Sequence, residues 1–297
     1  MDGELPPYRA LANSVLNAAA PTEKCQAARA FGKFFSSETT VAAKPELKTS
    51  ALLEDASGDL DDASFGAEGL PPPQRPARPK YPELRPPAAV PRRRIGTKTG
   101  RIALLHAVAH IELNAIDLAF DMVSRFTDDV RAAGLNPVDF IRDWVEVGVD
   151  EARHFQMIET RLQEMGASYG ALPAHDGLWQ AAEDTSDSVL ARLAIAPMVL
   201  EARGLDVTPS MIEKLRSVAD KTSADCLEVI YTEEIDHVRK GVKWFNALCA
   251  QKAVEPSQEF SDLVRSRFNG ALKPPFNDEA RTQAGLLKTY YMAFDLA

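Results

Sequence analysis

Two histidines of this chain each follow a glutamate by three positions, in Glu151-Ala152-Arg153-His154 and in Glu234-Ile235-Asp236-His237. A lone glutamate precedes each pair: Glu112 within Ala109-His110-Ile111-Glu112-Leu113, and Glu201 within Val199-Leu200-Glu201-Ala202-Arg203. The order is therefore Glu, Glu-x-x-His, Glu, Glu-x-x-His. Residues three apart on a helix share a face, so each Glu/His pair can point at one ion. A four-helix bundle uses this ligand set to hold two iron or manganese ions in its core.

The surroundings of these acids argue for burial. Leu105, Val108, Ala115, Ile116 and Ala119 flank Glu112, and Val147, Phe155, Ile158 and Leu162 flank Glu151. Ala194, Pro197, Met198 and Leu205 do the same for Glu201, and Ile230, Val238, Gly241, Phe245 and Leu248 for Glu234. A buried unpaired carboxylate costs several kcal/mol or takes up a proton. Two divalent cations among four carboxylates and two neutral imidazoles leave no net charge, which removes that cost. Carboxylate and imidazole donors without thiolate suit iron, or manganese or a mixed manganese–iron pair; affinity order alone does not exclude zinc.

Neighbouring charges supply an outer layer. Ligating histidines usually donate their second ring N–H to a carboxylate. Asp150 precedes Glu151 and Glu233 precedes Glu234, so each can serve the histidine of the opposite helix, Asp150 to His237 and Glu233 to His154. Arg153 can pair with both acids. Tyr231, one turn before Glu234, is a core tyrosine or a gating or redox residue. His106 and His110 share a face about 200° from Glu112. A structural role, packing against a basic arm, is expected for them rather than a zinc site, and His175 is expected to be idle.

The elements that must position these groups can be read from capping signals and periodicity. Two short helices are expected over 8–19 and 21–35. Residues 39–98 hold most of the prolines, including Pro71-Pro72-Pro73, and read as an irregular arm. Its second half is basic, with Arg75, Arg78, Lys80, Arg85, Arg92, Arg93, Arg94, Lys98 and Arg101 against Glu83. The favoured reading pairs this arm with acids of the same chain; nucleic acid is the less favoured partner. Long helices follow over 99–133 and 136–165, then a loop over 167–183. A third helix spans 186–203, with a kink or bulge at Pro197 and a stop at Gly204. A fourth runs from 208–210 to about 250, and a last one covers 256–268. The implied divisions are 1–38, 39–98, 99–252 and 253–297.

The chain has 297 residues and a net charge of -9, which disfavours a general polyanion-binding surface. Cys25, Cys226 and Cys249 lack C-x-x-C spacing, so neither a disulfide framework nor a thiolate metal site is expected. They read as buried thiols. The start, Met-Asp-Gly-Glu, lacks signal-peptide character, and no apolar stretch is read as reaching the ~18 residues of a membrane span. The expectation is a soluble cytoplasmic protein without a membrane partner; a homodimer is compatible with it.

At Ala109–Leu118, Asp150–His154, Leu200–Arg203 and Glu233–Gly241 the chain resembles the ferritin-like di-iron carboxylate superfamily. More narrowly it resembles a bacterial and plant family catalogued as domain of unknown function 455, over roughly residues 5–290 with the arm included. By motif layout it is similar to tRNA-modifying non-haem di-iron hydroxylases and to multicomponent monooxygenases, whose Asp-Glu-x-Arg-His matches Asp150–His154. Asp236 departs from that pattern, standing where those enzymes carry arginine. The resemblance implies an all-α, ferritin-like four-helix bundle with added N- and C-terminal helices and a long proline-rich wrapping arm. It implies Glu112, Glu151, His154, Glu201, Glu234 and His237 as the ligands of two Fe ions. The expected function is activation of O2 to hydroxylate or oxidise a small-molecule or RNA-borne substrate, with an electron donor left open. A ferroxidase or iron-handling protein and a non-catalytic RNA-associated scaffold are the alternatives.

Overall fold

The computed structural model describes residues 7–41, 71–89 and 94–292. The part of the arm at 42–70, and Arg92 and Arg93, lie outside the described residues. Among the described residues the protein is an all-helical bundle without a strand. The helices are α1 (Tyr8–Asn17), α2 (Pro21–Val41), α3 (Lys98–Ala132), α4 (Pro137–Glu164), α5 (Gly177–Glu183), α6 (Val189–Ile195), α7 (Ala202–Ser217), α8 (Lys221–Gln251), α9 (Pro256–Arg267), α10 (Asp278–Gln283) and α11 (Lys288–Tyr291). A π-helical turn, Ala196–Glu201, joins α6 to α7.

The chain's own polar residues set these boundaries. Thr97 caps α3 by accepting from Gly100 N at 3.0 Å, and Asn136 caps α4 by accepting from Val138 N at 3.0 Å, with Pro137 in the first turn. Gly134, at φ +77°, takes the left-handed position that ends α3 and turns the chain into α4. Ser188 caps α6.

Helix α3 packs chiefly on α4, and α7 on α8, while α1 and α2 cover the outer faces of α3 and α4. One apolar core runs from Val15 and Phe31 through Leu113, Ile158, Leu193 and Val238 to Tyr291. An 18-residue window of α3 reaches a mean hydropathy of 1.4, enough by length and composition to cross a bilayer, but 72% of it is buried inside the protein. The expectation that no apolar stretch reaches membrane-spanning length therefore fails for α3 by length and composition.

Several expectations need correction. Gly204 does not end a helix and Thr208-Pro209 does not start one; α7 runs through both to Ser217. Pro209 lacks the N–H that would reach the Leu205 carbonyl, and Asn277 Nδ2 donates to that carbonyl instead, at 3.1 Å. The break falls at Ala219 (φ +58°) and Asp220. Asp220 caps α8 through Ser223 N and pairs with Arg101 at 2.8 Å and Arg161 at 2.9 Å. The segment expected as a loop over 167–183 contains α5, and the tail after α9 contains α10 and α11. Cys25 and Cys249 are buried, but Cys226 is only partly so. The bulge expected at Pro197 is the π turn.

The described arm lies against the bundle. Ala77 N donates to Leu16 O at 2.8 Å, and Arg125 donates to Pro73 O at 3.2 Å. Arg78 pairs with Asp117 at 3.0 Å and donates to Asn114 at 2.7 Å. Arg75 meets Asp176 and Glu183. Arg75 and Arg78 thus pair with acids of the same chain.

Candidate metal centre

The six candidate ligands come from four helical segments: Glu112 from the middle of α3, Glu151 and His154 from α4, Glu201 from the last residue of the π turn, and Glu234 and His237 from α8. Two glycines let these segments approach. A Cβ at Gly148 would lie 2.5 Å from the Phe120 ring, so glycine is what seats α4 on α3 beside Glu151. A Cβ at Gly241 would lie 2.5 Å from Pro197 Cβ, so glycine admits the π turn onto α8 one turn past His237. That turn widens the helical period just where Glu201 is presented.

Ligand atoms of Glu112, Glu151, His154 and Glu234 all lie within 4.8 Å of one another. This buried group could hold a metal ion. His154 Nδ1 stands 3.3 Å from Glu112 Oε2, 3.4 Å from Glu151 Oε2 and 4.0 Å from Glu234 Oε1. His237 Nδ1 stands 3.0 Å from Glu151 Oε1 and 3.6 Å from Glu234 Oε2. Glu151 thus lies between the two imidazoles, whose centroids are 5.8 Å apart. Glu201 stands outside the tight group of four, and its charge couples to Glu234, Glu151 and His237.

The opposite ring nitrogens face outward acids. His154 Nε2 donates to Glu233 Oε2 at 2.6 Å, and His237 Nε2 lies 3.6 Å from Asp150 Oδ2. Each acid comes from the other helix of the α4/α8 pair. Arg153 ties them together, 2.9 Å from Asp150 and 2.5 Å from Glu233. Tyr231 lies elsewhere: its hydroxyl accepts from Asn277 Nδ2 at 2.9 Å, on the α10 side of α8.

With protons as the only counter-charges, the group is electrostatically crowded. Burial, then Glu151, pushes Glu112 well above the ordinary carboxylate range. Burial, then Glu234 and Glu151, does the same to Glu201, and burial followed by Glu151 raises Glu234. Burial also opposes ionisation of Glu151, but the imidazoles of His154 and His237 beside it outweigh that and hold Glu151 far below that range. For His154, burial works against the cation, yet Glu112 and Glu151 raise it to about 11. His237 is raised as well, burial being outweighed by Glu234, Asp150 and Glu151.

Hydrogen bonding leaves the group incompletely satisfied. Glu112 Oε2, Glu151 Oε1, Glu201 Oε2, Glu234 Oε2 and both nitrogens of His237 are buried without a properly aligned partner. Buried polar atoms are normally paired, so several orphans in one place call for a missing partner. Oxygen and imidazole lone pairs are what a divalent cation takes up, so the residues present fit a metal.

His106 and His110 serve the loop after α4, not the arm directly. His106 Nε2 accepts from Gly170 N at 2.9 Å, while His110 joins Tyr169 OH at 2.8 Å and the His175 carbonyl at 2.9 Å. His175 is not idle, since its Nδ1 accepts from Gly177 N at 3.2 Å.

Sequence reasoning missed a buried ionic layer beneath the cluster. Lys24 Nζ donates to Asp117 at 2.5 Å, with both side chains inaccessible, and Arg192 pairs with Asp121. The available signal was Asp117 and Asp121 at i and i+4 within an apolar helix, where each acid needs a partner.

Fold and site together define an all-helical protein with a buried carboxylate–imidazole cluster at its centre. The chain belongs to the family described as "Protein of unknown function (DUF455)", which it matches over residues 17–292. It is 37% identical over 209 residues to an "Uncharacterized protein" of Haemophilus influenzae, covering 70% of this chain and 73% of that one. No solved structure matches it.

Proposed function

We propose that the protein is a di-metal oxidoreductase of ferritin-like type, using a pair of iron ions to activate O2 and hydroxylate or oxidise an organic substrate. The observation that supports this best is the orientation of the imidazoles: both Nδ1 atoms face shared carboxylates, and both Nε2 atoms face acids of the opposite helix.

In this reading Glu112, Glu151, His154, Glu201, Glu234 and His237 would hold the ions. Bound iron would supply redox equivalents and open positions for O2. The chain's part is to fix geometry. Glu233 accepts the Nε2–H of His154 and Asp150 faces Nε2 of His237, so each acid would keep the ring proton on Nε2 and leave Nδ1 with its lone pair toward the inner carboxylates. Arg153 holds those two acids at a fixed separation. The apolar residues of α3, α4, α6 and α8 exclude water from the cluster. Hydroxylation places one oxygen atom in the substrate and reduces the other to water with two electrons and two protons, so a separate electron donor is a required partner.

The engagement of Arg75 and Arg78 with acids of this chain weighs against an arm devoted to RNA. The test is anaerobic iron loading followed by O2, with metal analysis and ultraviolet–visible absorption. The wild type should take up about two iron ions per chain, as the ligand set requires, and develop an O2-dependent absorption. No uptake, or equal uptake by Glu151→Ala with His237→Ala, overturns the proposal.

A further inference from the structure

A pocket of about 270 Å³ lies in the outer groove between α3 and the π turn with α7, closed over by the segment leading into α5. Ala107 and Ile111 form one wall, Leu172, Pro173 and Leu178 the lid, and Leu200 the far side. Ala107 and Ile111 stand on the side of α3 away from Glu112, and none of the six cluster residues lines the pocket. Its walls offer little hydrogen bonding. His110 has both ring nitrogens committed to Tyr169 and the His175 carbonyl, and His106 Nε2 is committed to Gly170 N.

One charge is left at this pocket. Arg203 lines it, with its side chain 44% exposed. Its Nη1 donates to the carbonyls of Lys273 and Pro275 at 2.9 and 3.3 Å and lies 3.4 Å from Asp206. Asp206 does not neutralise it, because that carboxylate is gripped by Arg281 through Nε at 2.8 Å and Nη2 at 2.7 Å. Among the described residues, Nε and Nη2 of Arg203 have no hydrogen-bond partner. Two adjacent guanidinium donors match a carboxylate in size and charge.

We infer that this pocket binds a small carboxylate with a compact apolar body, the body between Ile111, Leu178 and Leu200 and the carboxylate on Arg203. The volume supports that size, since an apolar cavity of about 150 Å³ accepts benzene and this one is not quite twice as large. A short fatty acid or arylalkanoate fits; a second anionic group would find no second cation. The inference does not depend on the metal reading.

The test is calorimetric titration of the purified full-length protein with octanoate, with octanol as the uncharged comparator. Saturable octanoate binding is expected, weakened about tenfold or more in Arg203→Gln, as loss of a charge-assisted pair implies, and partly restored in Arg203→Lys. Octanol should bind the wild type as weakly as octanoate binds Arg203→Gln. Ala107→Phe fills the pocket and should abolish binding; should that variant fail to fold, the exposed Arg203 substitutions suffice alone. Glu151→Ala with His237→Ala should retain the site. Absence of saturable binding, equal affinity in Arg203→Gln, or loss of binding in the metal-ligand double variant overturns the inference.

Discussion

Glu233, one residue before Glu234 on α8, holds the outer nitrogen of His154 on α4 at 2.6 Å. Asp150, one residue before Glu151 on α4, reciprocally faces the outer nitrogen of His237 on α8. Each helix therefore carries both an inner acid and the acid that orients the other helix's histidine. Removing such an outer carboxylate typically lowers metal affinity about 10–100-fold. Glu233→Gln and Asp150→Asn should each do so in a competition titration with a chromophoric chelator, while Glu151→Ala should abolish tight binding. Unchanged affinity in both outer variants would show that these acids do not orient the ligands.

Gly241 faces Pro197 with no room for a methyl group. Gly241→Ala should cost about 1–3 kcal/mol, as overpacking does, read from denaturant unfolding. It should also displace the π turn and lower metal occupancy, since Glu201 ends that turn. Wild-type stability in this variant would mean that α8 and the turn are not tightly apposed.

The buried pair of Arg192 and Asp121 supports α3 below the cluster, with Arg192 also donating to Thr185 and the Ala182 carbonyl. Arg192→Met leaves Asp121 buried with Arg125 as its remaining cation, and should cost about 3–5 kcal/mol. A loss below about 1 kcal/mol would place this pair among exposed ones.

Burial pushes His106 down to about 4. In the folded state the neutral ring is needed, because Nε2 accepts from Gly170 N. In the unfolded chain histidine titrates near 6.5. Its contribution to stability is therefore complete above about pH 6.5 and is lost progressively as pH falls towards 4. Melting temperatures of the wild type and His106→Gln should converge on acidification across this window. Parallel curves would contradict a buried neutral His106.

Much of the cluster was legible because helical spacing and chain order constrain it. Glu-x-x-His twice, each after a lone glutamate, leaves few other ways to bury those residues, and the neighbours Asp150 and Glu233 follow from the same helix geometry. The course of α7 was not legible. Gly204 signals a stop and Thr208-Pro209 a new start locally, and Asn277, 68 residues beyond Pro209 in the chain, supplies the donor to the Leu205 carbonyl that Pro209 cannot. The partners of His106 and His110 were misplaced for the same reason: a ring face on α3 does not say which distant loop will cover it. Asp117 and Asp121 showed that partners were needed, but Lys24 and Arg192 become those partners only through tertiary packing.

The most direct measurement of the central claim is an anomalous-difference map from crystals of the iron-loaded protein, with data on both sides of the iron absorption edge. The account predicts two peaks that appear only above the edge, enclosed by Glu112, Glu151, His154, Glu201, Glu234 and His237. A map with no peak among these side chains, or with iron bound only elsewhere, would contradict it.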